Sequence, residues 1–130
     1  MLNIGILGAG RIGQVHGKTL AKMTTARAAA VSDFLPDAAK ALADKLGAKA
    51  MSTEEIIADK SIDAVIIGTP TTTHYDIIHE AAAAGKAIFC EKPVDLSTDR
   101  IRECLAVVEK AGVPFMTAFN RRFDPSFAHL

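Results

Sequence analysis

The chain has 130 residues, of which 49% are apolar and 23% charged, and its 15 basic and 15 acidic residues give zero net charge. This length predicts one globular domain that needs no disulfide or metal to fold. The balanced charge argues against nucleic-acid binding and against a basic membrane-binding patch. The apolar stretch at residues 4–9 is too short to cross a bilayer. Two cysteines imply no disulfide framework, which favours a reduced cytoplasmic setting.

Six short apolar runs, separated by longer helical patterns, organise the sequence. The runs that predict strands are Ile4–Leu7, Ala28–Val31, Lys49–Met51, Ala64–Ile67, Ala87–Cys90 and Val113–Ala118. Strict alternation of strands and helices is typical of a parallel sheet with helices on both faces. Because crossovers between parallel strands are right-handed, the sequence predicts a doubly wound α/β domain of the Rossmann type.

The first predicted helix carries an apolar stripe formed by Ile12, Val15, Leu20 and Met23. This spacing is typical of an amphipathic helix. The second helix is expected to begin at Pro36, since proline is favoured in the first turn of a helix.

The three later helices have recognisable sequence signals at their starts. Ser52 with Glu55, and Thr73 with Asp76, have the spacing of capping boxes. Ser97 is suited to cap the last helix. All three signals place a helix directly after a loop, as the alternating pattern requires.

A glycine-rich segment links the first strand to the first helix. Gly8, Gly10, Arg11, Ile12 and Gly13 lie in a G-x-G-x-x-G motif. Such glycines allow a tight turn, close approach of the backbone to a pyrophosphate, and close packing of the helix on the strand. The alternative is three ordinary turn or packing glycines, which the strand–turn–helix context disfavours. We therefore predict that this segment binds a dinucleotide, with the N–H groups at the helix start facing its phosphates.

An acidic residue lies at the end of the second predicted strand. Asp33 follows Gly13 by 33 − 13 = 20 residues, which is the spacing of the dinucleotide fingerprint. Its carboxylate can accept hydrogen bonds from ribose hydroxyls and repels a 2′-phosphate, so NAD is favoured over NADP. The alternative is a turn or helix-capping role, for which Asp37 is the better candidate.

Polar residues follow the fourth strand, where parallel strands of an open sheet present their ligand crevice. Thr69, Pro70 and Thr73 lead into a helix, and their hydroxyl and N–H groups can hold the pyrophosphate or a ribose of the cofactor. Simple capping by Thr73 is an equally good and compatible interpretation. His74 either contacts the ligand or fills the first turn of the helix.

The fifth strand is followed by Glu91, Lys92 and Pro93. A solvated surface pair is the ordinary interpretation of a Glu-Lys sequence, but this pair faces the predicted crevice and the proline fixes the backbone after Lys92. A lysine beside a nicotinamide can donate a hydrogen bond to a substrate hydroxyl or carbonyl oxygen.

The remaining histidines and the cysteines predict no metal site. His16, His79 and His129 have no metal-ligand spacing with Cys90 or Cys104. A structural or solvated role is expected for each histidine, and both cysteines are expected to be small core residues.

The C-terminal residues depart from the alternating pattern. We expect residues 1–120 to form the cofactor domain and residues 121–130 to begin a further domain that the chain lacks. Four phenylalanines lie near this end: Phe115, Phe119, Phe123 and Phe127. Exposed apolar surface around them predicts self-association of the chain, and a solvated tail is the alternative.

Three motifs taken together resemble a known family. They are GAGRIG at 8–13, GTP at 68–70 with His74, and EKP at 91–93. This combination resembles the glucose–fructose oxidoreductase, inositol dehydrogenase and rhizopine-catabolism (Gfo/Idh/MocA) family, of which EKP is the most specific mark. The segments NIGILG at 3–8 and NRRFD at 120–124 narrow the resemblance to the branch that oxidises inositol.

The resemblance implies NAD-dependent oxidation of a hydroxyl of a cyclic polyol or sugar to a ketone. It implies that the catalytic Lys92 lies between nicotinamide and substrate, and that Glu91 holds a cofactor ribose or orients Lys92. The family's later Asp and His, the His acting as base, have no counterpart in this sequence, so the chain alone is expected to be catalytically incomplete. The full-length protein is expected to be a homo-oligomer. Another sugar dehydrogenase of the family and a stand-alone dinucleotide-binding regulatory module are the alternatives.

Overall fold

A parallel sheet of six strands organises the computed structural model, which describes residues 1–118. The strands are β1 (Leu2–Leu7), β2 (Ala26–Ser32), β3 (Lys49–Ala50), β4 (Ala64–Ile67), β5 (Ala87–Glu91) and β6 (Phe115–Ala118). Their order across the sheet is β3-β2-β1-β4-β5-β6, and every neighbouring pair is parallel. This is the strand order of a doubly wound dinucleotide-binding fold, as the sequence predicts.

Five α-helices connect the strands. They are α1 (Arg11–Ala21), α2 (Pro36–Leu46), α3 (Thr53–Ala58), α4 (His74–Ala83) and α5 (Thr98–Ala111). A single 3-10 turn, Thr71–Thr73, precedes α4. None of the helices in residues 1–118 has the length and apolar character that a membrane crossing requires.

The helices cover both faces of the sheet and create two apolar layers. One layer joins α1 and α2 to β1 and β2, through residues such as Ile6, Leu20 and Leu42. The other joins α3, α4 and α5 to the middle of the sheet, through residues such as Ile56 and Ile78. Because the chain reverses its direction across the sheet between β3 and β4, the carboxyl ends of β1 and β4 meet at a switch point. In open α/β sheets this is where ligands bind.

The local signals for helix starts are confirmed in three cases. Ser52 and Glu55 form a reciprocal capping box at α3. The Ser97 hydroxyl accepts a hydrogen bond from the backbone N–H of Arg100, and Pro36 is the first residue of α2. The two serine hydroxyls accept hydrogen bonds from N–H groups of the first helical turn, which have no partner within the helix.

α1 buries only part of its apolar stripe, and the last strand starts later than predicted. In α1 the buried residues are Gly13, Gly17 and Leu20, whereas Ile12 and Val15 are 40% and 51% exposed. Leu20 is the buried member of the stripe, while α1 packs through Gly13 on the backbone of Gly8 and through Gly17 on the side chain of Leu46 in α2. The last strand begins at residue 115 instead of 113, because Pro114 has no N–H to donate to the sheet.

The predicted boundary at residue 120, the segment 121–130 and three of the four C-terminal phenylalanines lie outside the described residues. Of this aromatic group only Phe115 is described, and it is half-buried beside α5.

Candidate functional site

The glycine loop is held by contacts that exclude side chains. Gly8 has φ +107°, and a Cβ there would lie 2.7 Å from the carbonyl oxygen of Gly68. At Gly13 a Cβ would lie 1.9 Å from the carbonyl oxygen of Gly8. The conformational roles that the sequence assigns to these two glycines are therefore confirmed: one makes the turn, and the other lets α1 pack onto it.

The start of α1 is open towards the crevice. Gly10 is the N-cap residue, and within residues 1–118 no side chain caps the helix and no atom lies within 4 Å of the Cβ that an alanine would have there. The first N–H groups of a helix have no intrahelical partner, and together with the helix dipole they attract anions. Gly10, Arg11 and Ile12 thus present backbone donors at the end of β1, with space in front of them for a phosphate.

Asp33 directly shapes this loop. One carboxylate oxygen accepts a hydrogen bond from the N–H of Ala9 at 2.7 Å, and the other accepts from the N–H of Leu35 at 2.9 Å. The second bond is a turn role, which the sequence analysis assigned preferentially to Asp37. Asp37 lies exposed in the first turn of α2, whose N-cap is Leu35. Each carboxylate oxygen has a further acceptor site, so Asp33 can bind ribose hydroxyls while it holds the loop.

A cleft of about 600 Å³ opens beside Asp33, between the ends of β2 and β4. We call it the β2–β4 cleft; among the residues that line it are Asp33, Phe34, Thr69, Pro70 and Thr73. Phe34 is 94% exposed, which is unusual for so large an apolar ring. Phe34 was not among the site residues predicted from the sequence, although its position directly after Asp33, the acidic residue of the dinucleotide fingerprint, could have indicated it.

The loop after β4 is ordered by its own hydroxyl groups. The Thr73 hydroxyl donates to the carbonyl oxygen of Pro70 at 2.6 Å, so the Thr69 hydroxyl must donate to Thr73, also at 2.6 Å. No side chain caps α4, and the predicted capping box of Thr73 with Asp76 is therefore wrong. The intervening 3-10 turn redirects the Thr73 hydroxyl back to the loop. Thr69 retains acceptor capacity towards the β2–β4 cleft.

His74 connects two loops beneath the crevice. The side chain is 1% exposed, with Nε2 at 2.8 Å from the carbonyl oxygen of Thr69 and Nδ1 at 3.0 Å from that of Pro93. Of the two roles considered from the sequence, the structure places His74 inside the fold, where it braces the loops that follow β4 and β5.

At the end of β5, Glu91 contacts α1, the helix that follows the glycine loop. Glu91 is half-buried and forms a hydrogen bond with His16 of α1, whereas Lys92 and Pro93 are exposed. The Lys92–Pro93 peptide bond is cis. Lys92 borders an apolar groove of about 650 Å³, which Ile101, Phe115 and Met116 also line. Sequence reasoning missed the role of His16, because its partner lies 75 residues away.

The two cysteines are buried, and Cys90 Sγ lies 3.4 Å from Nδ1 of His74 beneath the crevice. Both are free, and burial raises the pKa of the Cys90 thiol to about 12 and that of Cys104 to about 11. His79 hydrogen-bonds through Nδ1 to the carbonyl oxygen of Tyr75 in its own helix. Within residues 1–118 no three His, Cys, Asp or Glu side chains are grouped as metal ligands.

Comparison with known proteins identifies the fold's family. Residues 2–119 match the family described as "Oxidoreductase family, NAD-binding Rossmann fold". The chain belongs to the Gfo/Idh/MocA family. It is therefore an NAD-binding domain of this oxidoreductase family, and its relatives include several inositol dehydrogenases.

Three relatives show how far the similarity extends. Inositol 2-dehydrogenase of Rhizobium meliloti (strain 1021) is 51% identical over 126 residues, which cover 97% of this chain and 38% of that protein. The structure of a myo-inositol dehydrogenase from Corynebacterium glutamicum ATCC 13032 is 39% identical, with a TM-score of 0.90 over 99% of this chain and 39% of that one. GenD2 from gentamicin A biosynthesis, solved in complex with NAD, is 29% identical, with a TM-score of 0.94 over 98% of this chain and 37% of its own. The chain thus spans about two-fifths of the length of these relatives.

Proposed function

We propose that this chain is the cofactor domain of an NAD-dependent dehydrogenase that oxidises a CH–OH group of a cyclic polyol, converting myo-inositol to its 2-ketone. The observation that carries the proposal is the arrangement at neighbouring strand ends: Asp33 after β2, the open glycine loop after β1, and Glu91 with Lys92 after β5. The names of the inositol dehydrogenases among its relatives support the choice of substrate.

The strand order determines how the dinucleotide is oriented in this proposal. β2 and β5 lie on opposite sides of β1 and β4, about 14 Å apart at the usual strand spacing. Asp33 receives the adenosine ribose and Phe34 offers a stacking surface for the adenine ring. The pyrophosphate lies on the N–H groups of Gly10, Arg11, Ile12 and Gly13.

The nicotinamide half then lies towards the ends of β4 and β5. The loop formed by Thr69, Pro70 and Thr73 contacts the middle of the dinucleotide, and His74 supports that loop from below. Glu91 and Lys92 lie at the nicotinamide end. These assignments follow from the position of each residue along the crevice, with Lys92 as the one catalytic candidate.

NAD supplies the hydride acceptor of the reaction, and the chain's own residues prepare the substrate. The exposed Lys92 ammonium can donate a hydrogen bond to the oxygen of the reacting hydroxyl, which favours the alkoxide-like charge that develops as the C–H bond breaks. The proton of that hydroxyl also needs an acceptor. The family resemblance assigns it to a histidine of a second domain.

The proposal is tested by isothermal titration of the 130-residue chain with NADH and NADPH. A 2′-phosphate beside the Asp33 carboxylate is a close like-charge contact, so NADH should bind at least about tenfold more tightly. Asp33→Asn should narrow this difference, whereas the matched control Asp37→Asn removes the same charge from an exposed position and should not. Equal binding of the two cofactors by the wild-type chain contradicts the proposal.

Two further features of the parent protein belong to the same proposal. A cytoplasmic location is supported by two cysteines that are both free and buried. Assembly into a homo-oligomer is an expectation from the family resemblance, and sedimentation of the full-length protein tests it.

A further inference from the structure

A single side-chain contact joins the glycine helix to the end of β5. His16 Nε2 lies 2.5 Å from Glu91 Oε1, and the two side chains are only 20% and 15% exposed. The rings of His16 and Phe89 also pack in a T-shaped arrangement, with 5.4 Å between their centroids. Both contacts of His16 are thus with residues of β5, the strand that leads into Lys92.

The contact between His16 and Glu91 lies in one half of the crevice. His16 lies in α1, which begins at the glycine loop. Glu91 lies at the end of β5, which is separated from β1 by β4. The contact therefore lies on the side of the glycine loop opposite to Asp33. In the proposed function this is the nicotinamide half of the site.

The contact also leaves the Glu91 carboxylate partly available. Oε1 is bonded to His16, and within residues 1–118 no hydrogen bond involves Oε2. A carboxylate that is anchored through one oxygen presents the other in a fixed direction, which is useful for receiving ribose hydroxyls or the ammonium of an adjacent lysine. Without His16, the same side chain is free to change rotamer.

We propose that His16 is a positioning residue for the nicotinamide half of the dinucleotide site: its Nε2–H donates to Glu91 and holds that carboxylate in a fixed relation to the pyrophosphate-binding helix. This inference rests on the proposed function. It goes beyond it by assigning a role in cofactor orientation to a residue outside the glycine motif and the Glu-Lys-Pro motif.

Two substitutions separate the hydrogen bond from the packing of the ring. His16→Phe keeps an aromatic ring against Phe89 and removes the donor. His16→Gln removes the ring but places an amide N–H at nearly the same distance from the backbone as Nε2. A role in positioning Glu91 requires the donor, whereas a role in packing requires the ring.

The experiment compares the binding of NADH and of ADP to each form of the 130-residue chain by isothermal titration. ADP contains the adenosine and the pyrophosphate but neither the second ribose nor the nicotinamide. We expect His16→Phe to weaken NADH binding about tenfold, the effect of losing one hydrogen bond to a charged group, and to change ADP binding less than about twofold. His16→Gln should recover NADH binding to within about threefold of wild type.

The possible results distinguish this inference from the proposed function. Equal weakening of NADH and ADP binding by His16→Phe, or no weakening of either, overturns the positioning role and leaves the cofactor site intact. Failure of His16→Gln to recover NADH binding, while it still binds ADP, also overturns it. If His16→Phe does not fold, His16→Leu, which also lacks a donor, replaces it in the same comparison. A wild-type chain that binds neither ligand overturns the proposed function, and with it this inference.

Discussion

Replacing Gly13 with alanine tests how the glycine loop is held together. The added Cβ would start 1.9 Å from the carbonyl oxygen of Gly8, and real Cβ contacts are essentially never shorter than 3.0 Å. The helix and the loop must therefore separate by about 1.1 Å, which is 3.0 − 1.9. Both sides of the contact are backbone, so no side chain can rotate away to relieve it.

The expected cost is at the upper end of the range for overpacking, about 3 kcal/mol. With a urea dependence of about 2 kcal/mol per molar, the unfolding midpoint should fall by about 1.5 M. Urea unfolding followed by far-ultraviolet circular dichroism measures this shift. A Gly13→Ala chain within about 0.5 kcal/mol of the wild type would show that α1 does not approach the loop so closely.

Gly10→Ala is the matched control, because its Cβ meets no atom within 4 Å and the backbone there has an ordinary negative φ. Its unfolding free energy should fall by no more than about 1 kcal/mol, the range for an N-cap change. The methyl group nevertheless occupies the space in front of the open helix end, so NADH binding should weaken about tenfold or more. Unchanged NADH affinity in Gly10→Ala would contradict the proposed position of the pyrophosphate.

Three further outcomes are expected. His74→Phe should lower the unfolding free energy by about 1–3 kcal/mol in urea titration, because the carbonyl oxygen that accepts from the ring N–H loses its buried donor; a loss below about 0.5 kcal/mol would contradict the bracing role. The thiols of Cys90 and Cys104 should react with a disulfide reagent only after unfolding. Burial raises both thiol pKa values above the unfolded value of 9.0, so the unfolded chain loses these protons at lower pH than the folded chain. The free energy of unfolding should therefore decrease as the pH rises from about 9 towards 11–12. Rapid labelling of the native chain would show that the thiols are accessible. Finally, the purified 130-residue chain should not produce NADH from myo-inositol and NAD, because no base for the hydroxyl proton is assigned to it; steady turnover would contradict the division of catalytic groups between two domains.

The sequence was sufficient for those parts of the fold that depend on local patterns. Apolar runs of four residues, such as Ala64–Ile67, and the Ser52–Glu55 capping box translate directly into a buried strand and a helix start. The glycine motif and Asp33 could be assigned together because their spacing follows from one βαβ unit.

The features that the sequence leaves open depend on packing between distant parts of the chain. The apolar stripe of α1 does not show which of its residues are buried, since α1 packs through Gly13 on the glycine loop and through Gly17 on Leu46 of α2, with only Leu20 of the stripe buried. Hydrophobic periodicity assumes that the largest apolar residues are the most buried, and this fails where two backbones touch. The role of His16 depends on Glu91, and no pattern within the first helix indicates that partner.

The two backbone hydrogen bonds of Asp33 limit how the cofactor preference of this domain can be redesigned. An alanine that removes the negative charge, in order to admit a 2′-phosphate, also removes the acceptor for the N–H of the buried Ala9. Leaving that N–H unpaired costs about 1–3 kcal/mol, and the loss falls on the loop that must hold the pyrophosphate of either cofactor. An engineered NADP-dependent form therefore needs either a neutral residue at position 33 that still accepts from Ala9, such as asparagine, or a second substitution that restores an acceptor, and variants that lack both should carry a less ordered glycine loop.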